Sequence, residues 1–162
     1  MDYKLPAKTR IGHVHLKVSN IEKSLEFYRD LLGFKITQRM GDSAVFLSAG
    51  GYHHHIALNT WNSAGAGRAS KDGVGLFHAA ILYPERIDLA RIFRRLQKKG
   101  YPLTGAADHG VSEALYLDDP DGNGIELYWD KPKENWPKTS DGEIQMYTRR
   151  LDMNELLELA ND

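Results

Sequence analysis

The feature that most constrains the fold is a weak internal repeat, which divides the chain into two similar halves. The first half opens with a β-rich run at 11–18, and the second opens with a similar run at 76–82. Each run leads into an amphipathic helical stretch that ends at a glycine, Gly33 in one half and Gly100 in the other. Both halves therefore predict a strand, a helix and then further strands, in the same order.

Short strand-like runs follow each predicted helix. They are residues 34–38, 44–48 and 54–59 in the first half, and 114–117 and 124–129 in the second. The sequence DPDGN at 119–123 is a strong turn signal between the last two runs. One more strand, between Gly100 and Ala114, is inferred from the repeat alone. The chain is thus predicted to be an α+β protein with two β-α-β-β-β modules.

The regions between and after the modules differ from them in composition. Module one is about 10–62 and module two about 76–130, and the glycine-rich stretch 63–75 connects them. The polar extension 131–162 opens a short helix with a capping pattern at Asp152 and Glu155. We interpret residues 1–162 as a single domain, with the extension as an appendage that carries no chemistry.

Composition excludes several classes of function. The 162 residues include no cysteine, which excludes disulfides and thiolate metal sites, and the net charge of -1 comes without a basic block that would favour nucleic acid. No run approaches the roughly 18 apolar residues of a membrane helix. Residues 1–10 lack the apolar core of a secretory signal. We expect a cytoplasmic protein that binds neither nucleic acid nor membrane.

Three residues are candidate ligands of one divalent metal ion. His13 and His78 lie near the start of equivalent strands, and Glu126 lies in the last strand of module two. Two imidazoles and one carboxylate form the facial triad of non-haem iron oxygenases, which leaves positions open for substrate and O₂. The alternative is that each histidine is a packing residue and that Glu126 faces outward. The matched positions of the two histidines favour the metal.

A run of three histidines, His53-His54-His55, is the second concentration of imidazole. In a strand, His53 and His55 would share one face and His54 would point to the other. A histidine beside a metal can act as a general acid or base, and the alternative is an exposed edge or adventitious metal binding. His15 shares a face with His13 by the same alternation, either beside the site or as packing.

Tyr116 and His109 precede the predicted turn at 119–123. A tyrosine hydroxyl can donate a hydrogen bond to a substrate oxyanion. The alternatives are ordinary strand packing for Tyr116 and a solvated loop position for His109.

Three ordered motifs together resemble the vicinal oxygen chelate superfamily of glyoxalases, bleomycin-resistance proteins and extradiol dioxygenases. They are HVHLKVSNIEKSLEFYRDLLG from His13, HAAIL from His78, and DPDGNGIE ending at Glu126, and they span about residues 10–130. The resemblance implies that the two modules form a pair of half-barrels around a metal held by His13, His78 and Glu126.

Within the superfamily, the string from His109 through Tyr116 to Glu126 is most similar to extradiol ring-cleaving dioxygenases of the catechol 2,3-dioxygenase type. This resemblance implies a non-haem Fe(II) enzyme, with Mn(II) or another divalent metal as a substitute, that acts on a small aromatic substrate with O₂. It also implies substrate contacts from Tyr116 and His109. The family's proton-transferring histidine maps best onto His54.

Glyoxalase-like members resemble the chain too, but they use a fourth ligand in the last strand of module one. Aligning IAL at 56–58 with IEL at 125–127 places Ala57 at that position, which favours three ligands. Many extradiol enzymes carry four modules where this chain has two. The alternatives are therefore a metal-dependent lyase, isomerase or epimerase, or a drug-sequestering binding protein. A homodimer is possible, because the modules can pair within one chain or between two.

Overall fold

Two four-stranded mixed sheets, one in each half of the chain, form the framework of the computed structural model. The structure describes residues 2–70 and 72–161, so Lys71 of the predicted connection and the two ends of the predicted domain lie outside the described residues. The chain divides into two compact units, Met1–Gly67 and Arg68–Asp162. The α+β fold with a β-α-β-β-β order in each half is confirmed.

Unit one contains the first module. Its elements are strand β1 (Val14–Lys17), helix α1 (Ile21–Leu25) with its π-helical continuation (Glu26–Leu31), and strands β2 (Lys35–Met40), β3 (Ala44–Ser48) and β4 (Ile56–Asn59). The sheet order is β1-β4-β3-β2, with β1 and β4 parallel and the other pairs antiparallel. The prediction that the last strand starts at residue 54 is wrong by two residues.

Unit two repeats this arrangement. Its elements are strand β5 (Ala79–Leu82), helix α2 (Arg86–Lys98), strands β6 (Gly105–Asp108), β7 (Ser112–Asp118) and β8 (Gly124–Asp130), and the C-terminal helix α3 (Met153–Glu158). The sheet order is β5-β8-β7-β6, again with a parallel first pair. The strand inferred only from the repeat is confirmed as β6.

Helix ends in unit one follow the predicted signals. The Asn20 side chain accepts a hydrogen bond from the Lys23 backbone N–H at 2.9 Å, which satisfies one free donor of the first turn. The helical segment ends at Gly33, whose φ of 91° lies in the left-handed region that a side chain would disfavour. Leu25 and Tyr28 are completely buried and supply the apolar face of the helix.

The C-terminal extension is part of unit two, which corrects its interpretation as an appendage. Leu151 is 4% exposed and Leu156 is completely buried. Arg86 of α2 contacts Glu113 of β7 at 2.7 Å and Glu155 of α3 at 2.6 Å. The polar composition of the extension predicted an appendage, because the few apolar residues that it buries are a small minority of its sequence.

No helix within residues 2–70 and 72–161 is both long and apolar enough to cross a membrane. The cytoplasmic location and the single-domain organisation stay predictions.

Replacing Leu156 by alanine tests whether the extension belongs to the core of unit two. We expect the free energy of unfolding to fall by about 2–5 kcal/mol, because a buried leucine loses its contacts and leaves a cavity. Urea denaturation of Leu156→Ala is compared with that of the exposed neighbour variant Glu158→Ala. Equal midpoints for the two variants would show that α3 is an appendage after all.

Candidate metal centre

The strand registers of the two sheets make the candidate ligands equivalent residue by residue. Val14 pairs with Ile56 in one sheet, and Ala79 pairs with Ile125 in the other. His13 and His78 each lie one residue before the first of these strands. The next pairs along are His15 with Ala57 and Ala80 with Glu126, so Ala57 occupies in unit one the place that Glu126 occupies in unit two.

The same equivalence extends one strand further. Phe46 pairs with Ala57, and Tyr116 pairs with Glu126. Unit two therefore carries a carboxylate and a phenol where unit one carries a methyl group and a phenyl ring. At these two positions, the polar groups lie in unit two.

In unit two, the strand pairing brings His78 and Glu126 into contact. The Nε2 atom of His78 lies 2.9 Å from Oε2 of Glu126, whose side chain is only 12% exposed. The Glu126 atom Oε1 accepts a hydrogen bond from the Tyr116 hydroxyl at 3.2 Å. One carboxylate oxygen thus faces an imidazole nitrogen, and the other is held by a phenol.

A glycine lets the chain approach this closely. A Cβ atom on Gly124 would overlap the backbone oxygen of Phe77 and would lie 3.2 Å from the Cβ of His78. Gly124 begins β8, two residues before Glu126. The absence of a side chain at position 124 therefore allows Phe77 and His78, which lead into β5, to lie against the strand that bears Glu126.

The separation of the two donor atoms fits neighbouring ligands of one divalent metal. Metal–nitrogen and metal–oxygen bonds of about 2.1 Å at a right angle place their donor atoms about 3 Å apart. The 2.9 Å between Nε2 of His78 and Oε2 of Glu126 agrees with that value. Because Tyr116 is bonded to Oε1 of Glu126, only Oε2 of this carboxylate faces His78.

The Tyr116 phenol keeps its proton over the physiological range. Burial raises its pKa to about 12, and the negative charge of Glu126 and the hydrogen bond to it act in the same direction. Tyr116 is therefore available as a hydrogen-bond donor and not as a phenolate.

His109 completes a chain of contacts on the far side of Tyr116. Its Nε2 atom lies 2.6 Å from the Tyr116 hydroxyl, and its Nδ1 atom lies 2.9 Å from the backbone oxygen of Tyr147. His109 follows directly after β6, is half-buried and is bonded through both ring nitrogens, so it is not a freely solvated loop residue. Tyr147 is not among the residues predicted from the sequence, because nothing in the local pattern marks a backbone carbonyl as a partner.

In unit one, His13 lies against the histidine run. The ring centroids of His13 and His54 are 4.3 Å apart, whereas those of His13 and His53 are 6.5 Å apart. The Nδ1 atoms of His53 and His54 are 2.7 Å apart. Of the three consecutive histidines, His54 is thus the one closest to His13. Desolvation lowers its pKa, and the neighbouring imidazoles lower it further.

The predicted alternation, with His53 and His55 on one face of a strand and His54 on the other, is wrong, because all three residues precede β4 and lie outside a strand. His55 turns back to β3, where its Nδ1 lies 3.1 Å from the Ser48 hydroxyl. His15 contacts the Asn59 side chain at 2.9 Å and packs edge-on against Trp61, which supports a packing role.

Within residues 2–70 and 72–161, no group of three or more histidine, aspartate or glutamate side chains lies close enough to hold a metal ion. The two-residue arrangement of His78 and Glu126 belongs to unit two, and His13 belongs to unit one. The assignment of these three residues to one metal ion therefore stays a prediction.

Comparison with known families agrees with the duplicated fold. The model of the glyoxalase/bleomycin resistance protein/dioxygenase superfamily matches residues 10–127. The chain belongs to this superfamily. The match runs from before His13 to just beyond Glu126 and leaves out only the last three residues of β8.

Several curated proteins are similar in sequence. The catechol-2,3-dioxygenase of Bacillus subtilis (strain 168) is 39% identical over 95% of this chain and 53% of its own length. The manganese-dependent 2,3-dihydroxybiphenyl 1,2-dioxygenase of Geobacillus genomosp. 3 is 30% identical over 80% of this chain and 39% of its own length. This chain thus spans about half the length, or less, of these dioxygenases.

A relative and a solved structure of about this size also match. The lactoylglutathione lyase of Neisseria meningitidis serogroup A / serotype 4A (strain DSM 15465 / Z2491) is 25% identical over 73% of this chain and 88% of its own length. A glyoxylase/bleomycin resistance protein/dioxygenase domain from Frankia sp. EAN1pec covers 77% of this chain and 100% of its own, at 23% identity and a TM-score of 0.64. The structural likeness shows the fold.

Replacing Tyr116 by phenylalanine tests the contact chain. We expect the free energy of unfolding to fall by about 1 kcal/mol at neutral pH, because Glu126 and His109 both lose a partner. The matched variant is Tyr128→Phe, on the adjacent strand β8. Since the folded pKa of Tyr116 is raised from 10.0 to about 12, its stabilising effect is lost as the pH rises through that window.

The measurement is chemical denaturation of the wild type and both variants at pH 7, 10 and 11.5. The difference between wild type and Tyr116→Phe shrinks toward the highest pH if the phenol is buried and paired as described. A difference that stays constant with pH would contradict the raised pKa.

Proposed function

We propose that this chain is a metal-dependent extradiol ring-cleaving dioxygenase, which uses O₂ to open a small catechol-like aromatic ring. The single observation that carries the proposal is the arrangement of His78, Glu126, Tyr116 and His109 in unit two, where two metal donors 2.9 Å apart adjoin a protonated phenol and an imidazole. The name of the Bacillus subtilis relative supports the same reaction.

We assign His13, His78 and Glu126 as the ligands of one divalent metal, with Fe(II) as the first choice and Mn(II) as a substitute. Two imidazoles and a carboxylate suit both ions, and one relative is named as manganese-dependent. His13 is assigned because the repeat makes it the counterpart of His78. When bound, the metal supplies Lewis acidity and neighbouring positions for substrate and O₂.

Side chains of the protein supply the remaining functions. The Tyr116 hydroxyl turns its single proton from Glu126 or His109 to an oxygen of the substrate, and His109, whose Nε2 atom lies 2.6 Å away, holds that hydroxyl in position. On the side of His13, the adjacent His54 holds and moves a proton of the substrate hydroxyl. Phe46, the counterpart of Tyr116, offers an apolar surface beside His54, with ring centroids 5.1 Å apart.

A metal-dependent lyase, isomerase or epimerase is the second candidate, since a lactoylglutathione lyase is among the relatives. Ala57 counts against it, because the position equivalent to Glu126 is completely buried and has no donor atom. A binding protein without activity is a weaker candidate, because it has no need for a carboxylate and a phenol joined by a hydrogen bond.

The activity is tested with protein that has been loaded anaerobically with Fe(II) and then exposed to O₂ and a panel of catechols. We expect O₂ uptake that matches the appearance of a yellow ring-fission product. With stoichiometric iron bound, the absence of O₂ uptake across the panel rejects the proposal. Turnover of a substrate with Ni(II) or Co(II) in the absence of O₂ would instead favour the lyase or isomerase.

The ligand set is tested separately by metal affinity. We expect His13→Ala, His78→Ala and Glu126→Ala each to weaken Co(II) binding at least tenfold, because each variant removes one donor; loss of an outer-shell partner alone typically costs 10–100-fold. His55→Ala is the matched control, since His55 is bonded to Ser48 of β3. Wild-type affinity in His13→Ala, with losses in the other two, would remove His13 from the set.

A further inference from the structure

The segment 144–149 of the C-terminal extension meets the end of β6, the edge strand of the sheet in unit two. Asp108, the last residue of β6, and Arg149 form an antiparallel bridge, in which the N–H of each donates to the backbone oxygen of the other at 2.9 Å. The match to the family model ends at residue 127, so this segment lies outside it. The bridge brings the segment beside His109, the residue that follows β6.

Tyr147 of this segment is bonded to His109 at two points. The Tyr147 N–H donates to the backbone oxygen of His109 at 3.2 Å, and Nδ1 of the His109 ring lies 2.9 Å from the backbone oxygen of Tyr147. A carbonyl oxygen accepts hydrogen bonds and cannot donate one. The contact therefore requires a proton on Nδ1 of His109.

The proton on Nδ1 determines what the other ring nitrogen does. Nε2 of His109 lies 2.6 Å from the Tyr116 hydroxyl. In a neutral ring, Nε2 carries a lone pair and accepts the phenol proton; in a charged ring, it donates and turns that proton toward Glu126. In both cases Nδ1 stays protonated, and Nε2 is the ring nitrogen that interacts with Tyr116.

The close approach of Tyr147 is built into the chain. Gly110 has a φ of 81°, and a Cβ atom there would lie 2.7 Å from the Tyr147 ring and 3.0 Å from Pro137. The Arg149 guanidinium lies over the same ring, 4.0 Å from its centroid. The space that Gly110 leaves and the cation–π contact with Arg149 hold Tyr147 in place.

We propose that the segment 144–149 positions His109 for the reaction. The backbone oxygen of Tyr147 holds the His109 ring as the Nδ1–H tautomer and aims Nε2 at the Tyr116 hydroxyl. Tyr147 is a positioning residue, because it acts through His109 and does not contact the proposed ligands His78 and Glu126. The role of Tyr147 in catalysis rests on the dioxygenase function proposed above, whereas the tautomer of His109 is independent of that function.

The test is long-range ¹H–¹⁵N correlation NMR of the histidine rings in the full chain, both metal-free and loaded with diamagnetic Zn(II). The His109 signals are assigned by their loss in His109→Gln. We expect Nδ1 to be protonated in the wild type, although free histidine side chains in water favour the proton on Nε2. If the His109 ring of the wild type carries its proton on Nε2 and none on Nδ1, the proposal is wrong, and no variant is needed to show it.

Two variants of Tyr147 then test the cause. Tyr147→Phe keeps the ring and the backbone, so we expect the wild-type tautomer. Tyr147→Pro removes the N–H that bonds His109 and the ring that packs on Gly110, so we expect the Nε2–H tautomer to become populated. Retention of the Nδ1–H tautomer in Tyr147→Pro would show that the N–H and the ring of Tyr147 are not what holds its backbone oxygen at Nδ1, and would overturn the positioning role of this residue. Thr148→Val checks the neighbouring hydroxyl, which lies 3.3 Å from Nδ1, and should change nothing.

Kinetics distinguish this inference from the proposed function. In Fe(II)-loaded enzyme, we expect Tyr147→Pro to lower kcat roughly tenfold with little change in KM, whereas Tyr147→Phe retains wild-type values. If NMR shows the expected tautomers but the enzyme takes up no O₂, only the dioxygenase function is rejected. If NMR shows the expected tautomers but kcat is unchanged in Tyr147→Pro, only the positioning role is rejected.

Discussion

The parallel pairing of the first and last strands in each unit is the interaction on which the candidate site depends. In unit two, β5 lies beside β8 with Ala80 opposite Glu126, so a side chain two residues before Ala80 is directed to the same face as the carboxylate. That side chain is His78, and Gly124 leaves room for it. A shift of one residue in this pairing would move Glu126 to the face that packs on α2, and the pair of donors would be lost.

One scaffold, used twice, carries different chemistry in its two copies. The hydrogen bonds of the two sheets pair equivalent residues, and Leu58 in one unit and its counterpart Leu127 in the other are completely buried. On the opposite face of each sheet the residues differ, because Ala57 and Phe46 occupy in unit one the positions of Glu126 and Tyr116 in unit two. The two sheets thus share their pairing and differ in the side chains of one face.

The extension shows how a polar sequence becomes part of a site. Its contribution comes from backbone atoms, the oxygen of Tyr147 and the bridge between Arg149 and Asp108, with Leu151 and Leu156 as buried anchors. Any residue supplies a backbone carbonyl, so residue types carry little information about such a contact. The contact exists because the chain returns to the end of the edge strand β6, where Arg149 forms a bridge with Asp108.

The sequence by itself determined the repeated β-α-β-β-β order, the helix boundaries near Asn20 and Gly33, and the equivalence of His13 with His78 and of Ala57 with Glu126. The order of elements and the helix boundaries follow from hydrophobic periodicity and from conformational preferences of single residues, which act locally. The equivalences follow from matching the repeated segments, 11–18 with 76–82 and 56–58 with 125–127. Only the tertiary structure decided that His54 is the histidine nearest His13, that His55 turns to Ser48, and that Tyr147 holds His109. The directions of the three histidines depend on where β4 begins, because side chains in a loop do not alternate regularly between two faces. The contact of Tyr147 depends on residues far apart in the chain, and every residue has a backbone oxygen, so the residue type does not indicate it.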